Sequence, residues 1–370
     1  MKAKSIISSL LRAAGITING KNPWDIQIHN ERSYRRVLTY GTLGIGESYM
    51  DGWWDSRALD ETAYKFAKAG IEKRVAKNFF SFLRSLRSKI FNIQNKIGAR
   101  KVAFHHYDFD NDLYMSFLDP YNQYTCGYFK ETDNLGLAQE KKLDLICQKL
   151  QLKKSDRVLD IGCGWGGFAK WAAKHYGCHV TGVSISDEQI KFAREFTKGL
   201  PVEIIKSDYR DISGKYDKVL SIGMFEHVGY KNYKTYFEIV DRILKPNGLS
   251  LLHTIGRLDS VTINDPWFER YIFPNSMLPS IAQIGKAIDG LFVMEDWHNF
   301  GADYDKTLMA WWKNFDAAWP RFKQKYDEHF YRMFKYYLLT CAGMFRARDT
   351  QLWQIVLSKN GVAGGYRTIR

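Results

Sequence analysis

The chain has 370 residues, 45% of them apolar and 15% aromatic, which suits one large or two modest domains with a sizeable core. It holds no apolar run of about 18 residues, so no membrane-spanning helix is expected; five cysteines without Cys-x-x-Cys spacing speak against a disulfide framework or a zinc site and for a reducing cytoplasm. The net charge of +14 asks for a polyanion, either nucleic acid or an anionic membrane surface, unless it marks only a basic solvated face.

In chain order, the opening MKAKSIISSLLRAAGITING is basic and then apolar. It lacks a sustained apolar stretch and a small-residue cleavage site, so no secretory signal is expected. Turn signals at Asn19-Gly20 and Asn22-Pro23 precede an alternating strand over 24–28. Residues 40–54 carry four glycines among aromatics. They read as an irregular docking surface, or as turn glycines around a small core. Residues 71–101 hold nine Lys or Arg against one acid, Glu72. Phe79, Phe82, Leu83, Leu86, Ile90, Ile93 and Ile97 recur there at helical spacing, with Arg84, Arg87 and Lys89 on other faces. This is a basic amphipathic linker, placed over 76–104, that lies on a membrane or packs on a neighbouring domain.

From about residue 140 the pattern becomes regular. A Leu-rich helix over 138–151 is followed by strands at 156–161, 178–183, 202–206, 217–222 and 249–253, with helices at 168–176 and 187–198. Such alternation predicts an α/β fold, a doubly wound Rossmann-like parallel sheet with its ligand at the carboxyl ends of the strands.

The first of these strands runs into Asp160, Gly162, Cys163, Gly164, Trp165, Gly166 and Gly167. Glycines at 162, 164 and 167 meet the dinucleotide spacing, but Asp160 would repel a pyrophosphate. A carboxylate there suits a cofactor with a cationic end and no phosphate, and S-adenosylmethionine is such a ligand. After the second strand come Ser184 and Ile185; no acid stands at the strand end, so Gln189 or Glu188 must serve the ribose hydroxyls. After the third, Asp208, Tyr209 and Arg210 can receive the adenine. Each of these also reads as a helix cap or a surface turn. The fourth strand ends in Ser221-Ile-Gly-Met-Phe-Glu-His-Val-Gly229, which offers Glu226 and His227. It has no Asn-Pro-Pro-Tyr to grip an amine, and Asn264-Asp-Pro-Trp267 lies beyond the fifth strand. The place asks for a reaction that needs an acid.

Several stretches together resemble the cyclopropane-fatty-acyl-phospholipid synthases: Tyr124-Thr-Cys-Gly-Tyr-Phe129, the glycine loop, Met224-Phe-Glu-His-Val-Gly229, Leu252-His-Thr-Ile-Gly256 and Asn299-Phe-Gly-Ala-Asp-Tyr304. Gly46-Glu-Ser-Tyr-Met-Asp-Gly-Trp-Trp54 is similar to the N-terminal region of the bacterial phospholipid-acting members, and Cys341-Ala-Gly-Met-Phe-Arg-Ala-Arg-Asp349 to their C-terminal end. The resemblance covers essentially the whole chain. It implies methylene transfer from S-adenosylmethionine to the cis double bond of a phospholipid acyl chain. An alkene has no proton to surrender first, so a base must afterwards deprotonate the cation for the ring to close, in a site that excludes water. By resemblance that base is a bound bicarbonate ion, cradled by Cys126, Glu226, His253, Ile255 (through its backbone) and Tyr304, with Tyr124, Thr125 and Ile222 lining the cofactor pocket. Some readings of the family would make Cys341 active, although no chemical task for it is evident.

The resemblance also implies a class I methyltransferase domain over 105–370, preceded by a small N-terminal α+β domain over 1–75 that docks on lipid. A helical acyl-chain lid is expected around 260–345, its tunnel walled by Trp267, Trp297, Trp311, Trp312 and Trp319. The resemblance implies phospholipids with unsaturated acyl chains as partners; the charge adds an anionic bilayer surface at the inner face of the membrane, and the avidity of two membrane-facing surfaces a second copy in a homodimer; no metal and no nucleic acid are expected. Plainer alternatives stand beside these. Cys126 suits a small buried hydrophobe, His253 a core histidine and His227 a structural one. A nucleic-acid methyltransferase, another lipid C-methyltransferase and a lipid-binding module with a dead cofactor pocket complete the alternatives.

Overall fold

A computed structural model of the protein describes residues 2–71 and 111–370. The expected linker over 76–104, with its basic face, lies outside the described residues. The described chain divides into two units: one takes residues 2–71, 262–274 and 304–350, the other 111–261, 275–303 and 351–370. This partition cuts across the linear division expected from the sequence. Two stretches of the expected lid cluster with the N-terminal region, and the stretch between them joins the sheet.

The first unit is mostly helical. Strands β1 (Gln27–Ile28) and β2 (Trp54–Asp55) pair antiparallel with Ile28 opposite Trp54, so the strand expected over 24–28 is present in shortened form. Residues 40–54 are not irregular: a helix spans Thr42–Met50. Its glycines serve close packing, since a Cβ on Gly46 would collide with the indole of Trp267. Helix Glu328–Arg346 lies against helix Leu59–Lys68, and Arg346 joins them through Asp60 and Glu61. Trp267, Trp311 and Trp319 are core residues of this unit. No helix among the described residues is long and apolar enough to cross a membrane.

The second unit holds seven strands: β3 (Arg157–Ile161), β4 (His179–Ser184), β5 (Val202–Lys206), β6 (Tyr216–Ile222), β7 (Leu244–Arg257), β8 (Val293–Asn299) and β9 (Thr350–Ser358). Their order is β5-β4-β3-β6-β7-β9-β8. The run from β5 to β7 is parallel, and β8 pairs antiparallel with β9. Successive residues feed opposite faces, as strand pleating requires. Val158, Leu220 and Leu251 enter a core with Ile146, Phe168 and Trp171; Leu159, Val219 and Leu252 enter another with Phe225, Phe237 and Trp353. Helices therefore cover both faces, which is why the strands read as continuous apolar runs.

The five expected strands are present, β7 longer than expected, and the sheet gains β8 and β9. Trp297, expected in the helical lid, lies on β8 against Trp353, with ring centroids 4.9 Å apart. The sheet reverses direction of growth between β3 and β6, which opens a crevice at their carboxyl ends.

Candidate active site

The loop after β3 enters that crevice. Gly162, Gly164 and Gly166 have φ of +83°, +53° and +80°, a region L side chains rarely adopt, so glycine is required there. Helix Gly167–Tyr176 starts directly after the loop. Over the loop lies a short helix, Asn111–Phe117: the indole N–H of Trp165 donates to Asn111 Oδ1 at 2.9 Å, and Tyr114 contacts both Trp165 and Tyr124. The expected lining residues Tyr124 and Trp165 thus share one aromatic cluster.

Asp160 is buried, and its Oδ1 has no hydrogen-bond partner among the described residues. Burial pushes its carboxyl up to about 7, against the pull of the Lys142 ammonium. Lys142 itself is fully buried on helix Leu135–Lys149. It donates to Gln123 Oε1 at 2.5 Å and to Thr125 Oγ1 at 3.0 Å, while Gln139 Nε2 donates to the Thr125 carbonyl at 2.7 Å. Thr125 also packs against Gly223, the residue after β6: a Cβ there would come within 2.7 Å of Thr125 Cγ2.

At the end of β4, Ser184 Oγ donates to Gln189 Oε1 at 3.2 Å and accepts from Ser186 N–H. Gln189 is buried and Glu188 exposed, which favours Gln189 of the two expected ribose partners. Beyond β5, Asp208 caps the turn Tyr209–Asp211 by accepting from Arg210 N–H at 3.0 Å, and the Arg210 guanidinium lies over the Tyr209 ring. The plain capping role is present for Asp208.

Past β6 the chain makes a tight turn, Phe225–His227, pinned by the stack of Phe225 on Tyr233 at 4.3 Å. The turn places Glu226 beside β7. Glu226 Oε1 accepts from the Ile255 peptide N–H at 2.7 Å, and Oε2 has no partner among the described residues. Burial pushes this carboxyl up to about 7, opposed by the Ile255 N–H. Ile255 was expected to donate to the bound ion; here its N–H is committed to Glu226, so its contribution is to fix that carboxylate. Two residues earlier on the same face of β7, His253 is 1% exposed and registers with Ile222. Gln354 Nε2 lies 3.3 Å from His253 Nδ1. The amide can only donate there, so the ring proton goes to Nε2, which has no partner among the described residues. Burial, Lys142 and Lys149 hold the imidazole neutral. Cys126 is fully buried, its thiol 3.2 Å from the Gly127 carbonyl. Burial takes His227 down to about 4, so it too is neutral.

Tyr304 and Cys341 belong to the helical unit. Tyr304 is buried on helix Ala302–Ala318, with Phe345 at 4.5 Å and Trp311 at 6.0 Å between ring centroids. Cys341 sits on helix Glu328–Arg346, where burial and the nearby Asp265 push its thiol far up. That is the opposite of an activated nucleophile.

Sequence reasoning missed Lys142, Gln139 and Gln354. The sequence carried no signal for the first two: Gln139, Lys142 and Lys149 are polar residues at helical spacing, which reads as a solvated face, and it is the fold that buries this stripe.

The chain matches the family described as mycolic acid cyclopropane synthetase over residues 94–355. It is 54% identical over 365 residues to the cyclopropane-fatty-acyl-phospholipid synthase of Escherichia coli strain K12, covering 99% of this chain and 95% of that protein. It is 31% identical over 350 residues to the tuberculostearic acid methyltransferase UfaA1 of Mycobacterium tuberculosis, covering 88% of this chain and 81% of that one. Among solved structures it is similar to the mycolic acid cyclopropane synthase CmaA1 complexed with SAH and CTAB, with a TM-score of 0.65 and 29% identity over 70% of this chain and 98% of that chain.

Proposed function

The chain belongs to the cyclopropane-fatty-acyl-phospholipid synthase family, and from that premise we propose that it transfers a methylene group from S-adenosylmethionine to the cis double bond of an unsaturated phospholipid acyl chain, closing a cyclopropane ring. The observation that carries the reading is Glu226. It is a buried carboxyl at the end of β6, with one oxygen fixed by a peptide N–H and the other unpartnered.

The cofactor supplies an electrophilic methyl on a sulfonium. The glycine loop gives its backbone close approach, Asp160 offers a carboxylate to the cationic end, and the buried Gln189 is the residue we assign to the ribose. The family's bicarbonate is a second group to be tested against the residues present. A small anion with one hydroxyl needs an acceptor for its proton and donors for its oxygens. Glu226 Oε2 and His253 Nε2–H are such a pair, both buried and both without partners among the described residues, so the residues fit. Bound bicarbonate would supply the base that deprotonates the newly added carbon. Glu226 would hold the hydroxyl proton, Ile255 would hold Glu226, and Gln354 would keep the His253 proton on Nε2. Cys126 is assigned to the same cradle on the resemblance. Burial of Glu226 and His253 excludes the water that would otherwise trap the cation.

The substrate lies in a bilayer and the chain carries a charge of +14. We therefore place its work at the anionic inner face of the cytoplasmic membrane, reached by reversible surface binding. A second reading is methyl branching, since a relative in the same family is named a methyltransferase. The test is to incubate the protein with labelled S-adenosylmethionine and vesicles of a cis-monounsaturated phospholipid. The lipid is expected to gain one CH2 and to resist mild hydrogenation. A labelled product whose double bond is still reduced would replace ring closure by methyl branching, and label appearing in added RNA but not in lipid would overturn the lipid reading.

A further inference from the structure

Lys142 is a fully buried cation whose hydrogen-bond acceptors are neutral: Gln123 Oε1 and Thr125 Oγ1. A buried charge without a carboxylate in contact is costly and is retained where something compensates it. Two buried carboxylates, Asp119 and Asp160, reach it electrostatically, but Asp119 already accepts the N–H groups of Tyr121 and Gln123. Asp160 leaves one oxygen unpartnered among the described residues. Lys142 is too buried to touch a ligand itself; Thr125 is partly exposed. Because the Thr125 oxygen accepts from Lys142, its own hydrogen is left to point away from the lysine. The Thr125 carbonyl is tied by Gln139, and its methyl rests against Gly223, so the direction of that hydroxyl is set.

The methionyl end of S-adenosylmethionine carries a carboxylate and an ammonium. We propose that Lys142 is a positioning residue for this end: it holds the Thr125 hydroxyl as an outward donor to the cofactor carboxylate, while Asp160 faces the ammonium. The inference rests on the reading that the glycine loop binds this cofactor. Burial brings the Lys142 ammonium down to about 8, and a carboxylate arriving near it would raise it again.

The experiment compares two ligands by calorimetry: S-adenosylhomocysteine, which has both charged groups, and 5′-deoxy-5′-methylthioadenosine, which has neither. Lys142→Met and Thr125→Val are each expected to weaken S-adenosylhomocysteine about ten- to hundredfold and to leave methylthioadenosine within about twofold. Thr125→Ser, which keeps the hydroxyl, should bind as wild type. The double variant should bind no more weakly than the worse single variant, because both remove one interaction. Equal losses for the two ligands would mean that Lys142 merely supports the fold and would overturn the proposal, as would no loss in Thr125→Val or additive losses in the double variant. If Lys142→Met does not fold, Lys142→Leu, which removes the same donor, takes its place in the same comparison. Wild-type protein that bound neither ligand would overturn the cofactor reading itself, and this inference with it.

Discussion

The peptide N–H of Ile255 donates to Glu226 Oε1 at 2.7 Å, and this one bond ties the turn after β6 to the neighbouring strand β7. It leaves Oε2 as the chemically available oxygen of a carboxyl that is 6% exposed. Glu226→Gln keeps an oxygen for Ile255 and replaces only the other one. The variant is expected to lose ring formation by at least about a hundredfold, the scale of a general acid–base contribution, while S-adenosylhomocysteine affinity stays within about twofold. If affinity fell in step with rate, Glu226 would be a cofactor ligand.

The same residue should reveal itself in stability. Its carboxyl is raised from 4.5 to about 7 by burial. Between those two values the folded protein keeps a proton that the unfolded chain has lost, so this group's stabilisation is full below pH 4.5 and is lost as pH rises to about 7. Ionising it in the fold costs on the order of 3 kcal/mol. Glu226→Gln has no such cost. Urea melts of both proteins should show the variant gaining on wild type by about that amount between pH 4.5 and pH 8. A difference that did not change with pH would mean that Glu226 titrates as an exposed glutamate.

Gln354 orients His253 from the adjacent strand β9. Gln354→Leu releases the imidazole to move its proton to Nδ1, which removes the donor proposed for bicarbonate. Wild type should slow in degassed buffer. Gln354→Leu should slow further, about tenfold or more at low bicarbonate, and recover in part as bicarbonate is raised. Rates indifferent to bicarbonate in both proteins would remove the ion from the mechanism.

Much of this site was legible because its residues break local rules within a few positions of one another. Asp160 before three glycines and Glu226 at a strand end are conflicts visible without any partner. What stayed hidden depends on distant residues. Lys142 on a helix reads as solvated until Gln123 and Thr125 are seen to bury it. Strand β8 carries Asp296, which suits a sheet only because Lys149 and the bidentate Arg370 neutralise it. Helix Thr42–Met50 reads as turns because Gly44 and Gly46 disfavour a helix, and the reason for Gly46 is Trp267, over two hundred residues away in the chain.

The proposed membrane contact rests on charge. Each Lys or Arg near an anionic surface contributes about 1 kcal/mol, weakened by salt. Neutralising Arg84, Arg87 and Lys89 together should reduce flotation with anionic vesicles at low salt, while activity on detergent-dispersed lipid survives. A triple variant that floated like wild type would show that the segment links domains and that the bilayer is met elsewhere.

Gly46 and Trp267 give a direct check on the helical unit. The indole is 1% exposed, its N–H donates to Met50 Sδ at 3.2 Å, and its ring centroid lies 4.6 Å from that of Tyr336. On propensity alone, Gly46→Ala should stabilise its helix by up to about 1 kcal/mol. Because the new methyl would overlap the indole, overpacking should win, with a net loss of about 1–3 kcal/mol. Trp267→Leu should also destabilise, by leaving a cavity. In that background the alanine has room, so Gly46→Ala should become neutral or stabilising. Thermal or urea melts of the four proteins give the coupling. If the two effects simply added, the close approach of Gly46 to Trp267 would not be what requires glycine in this helix.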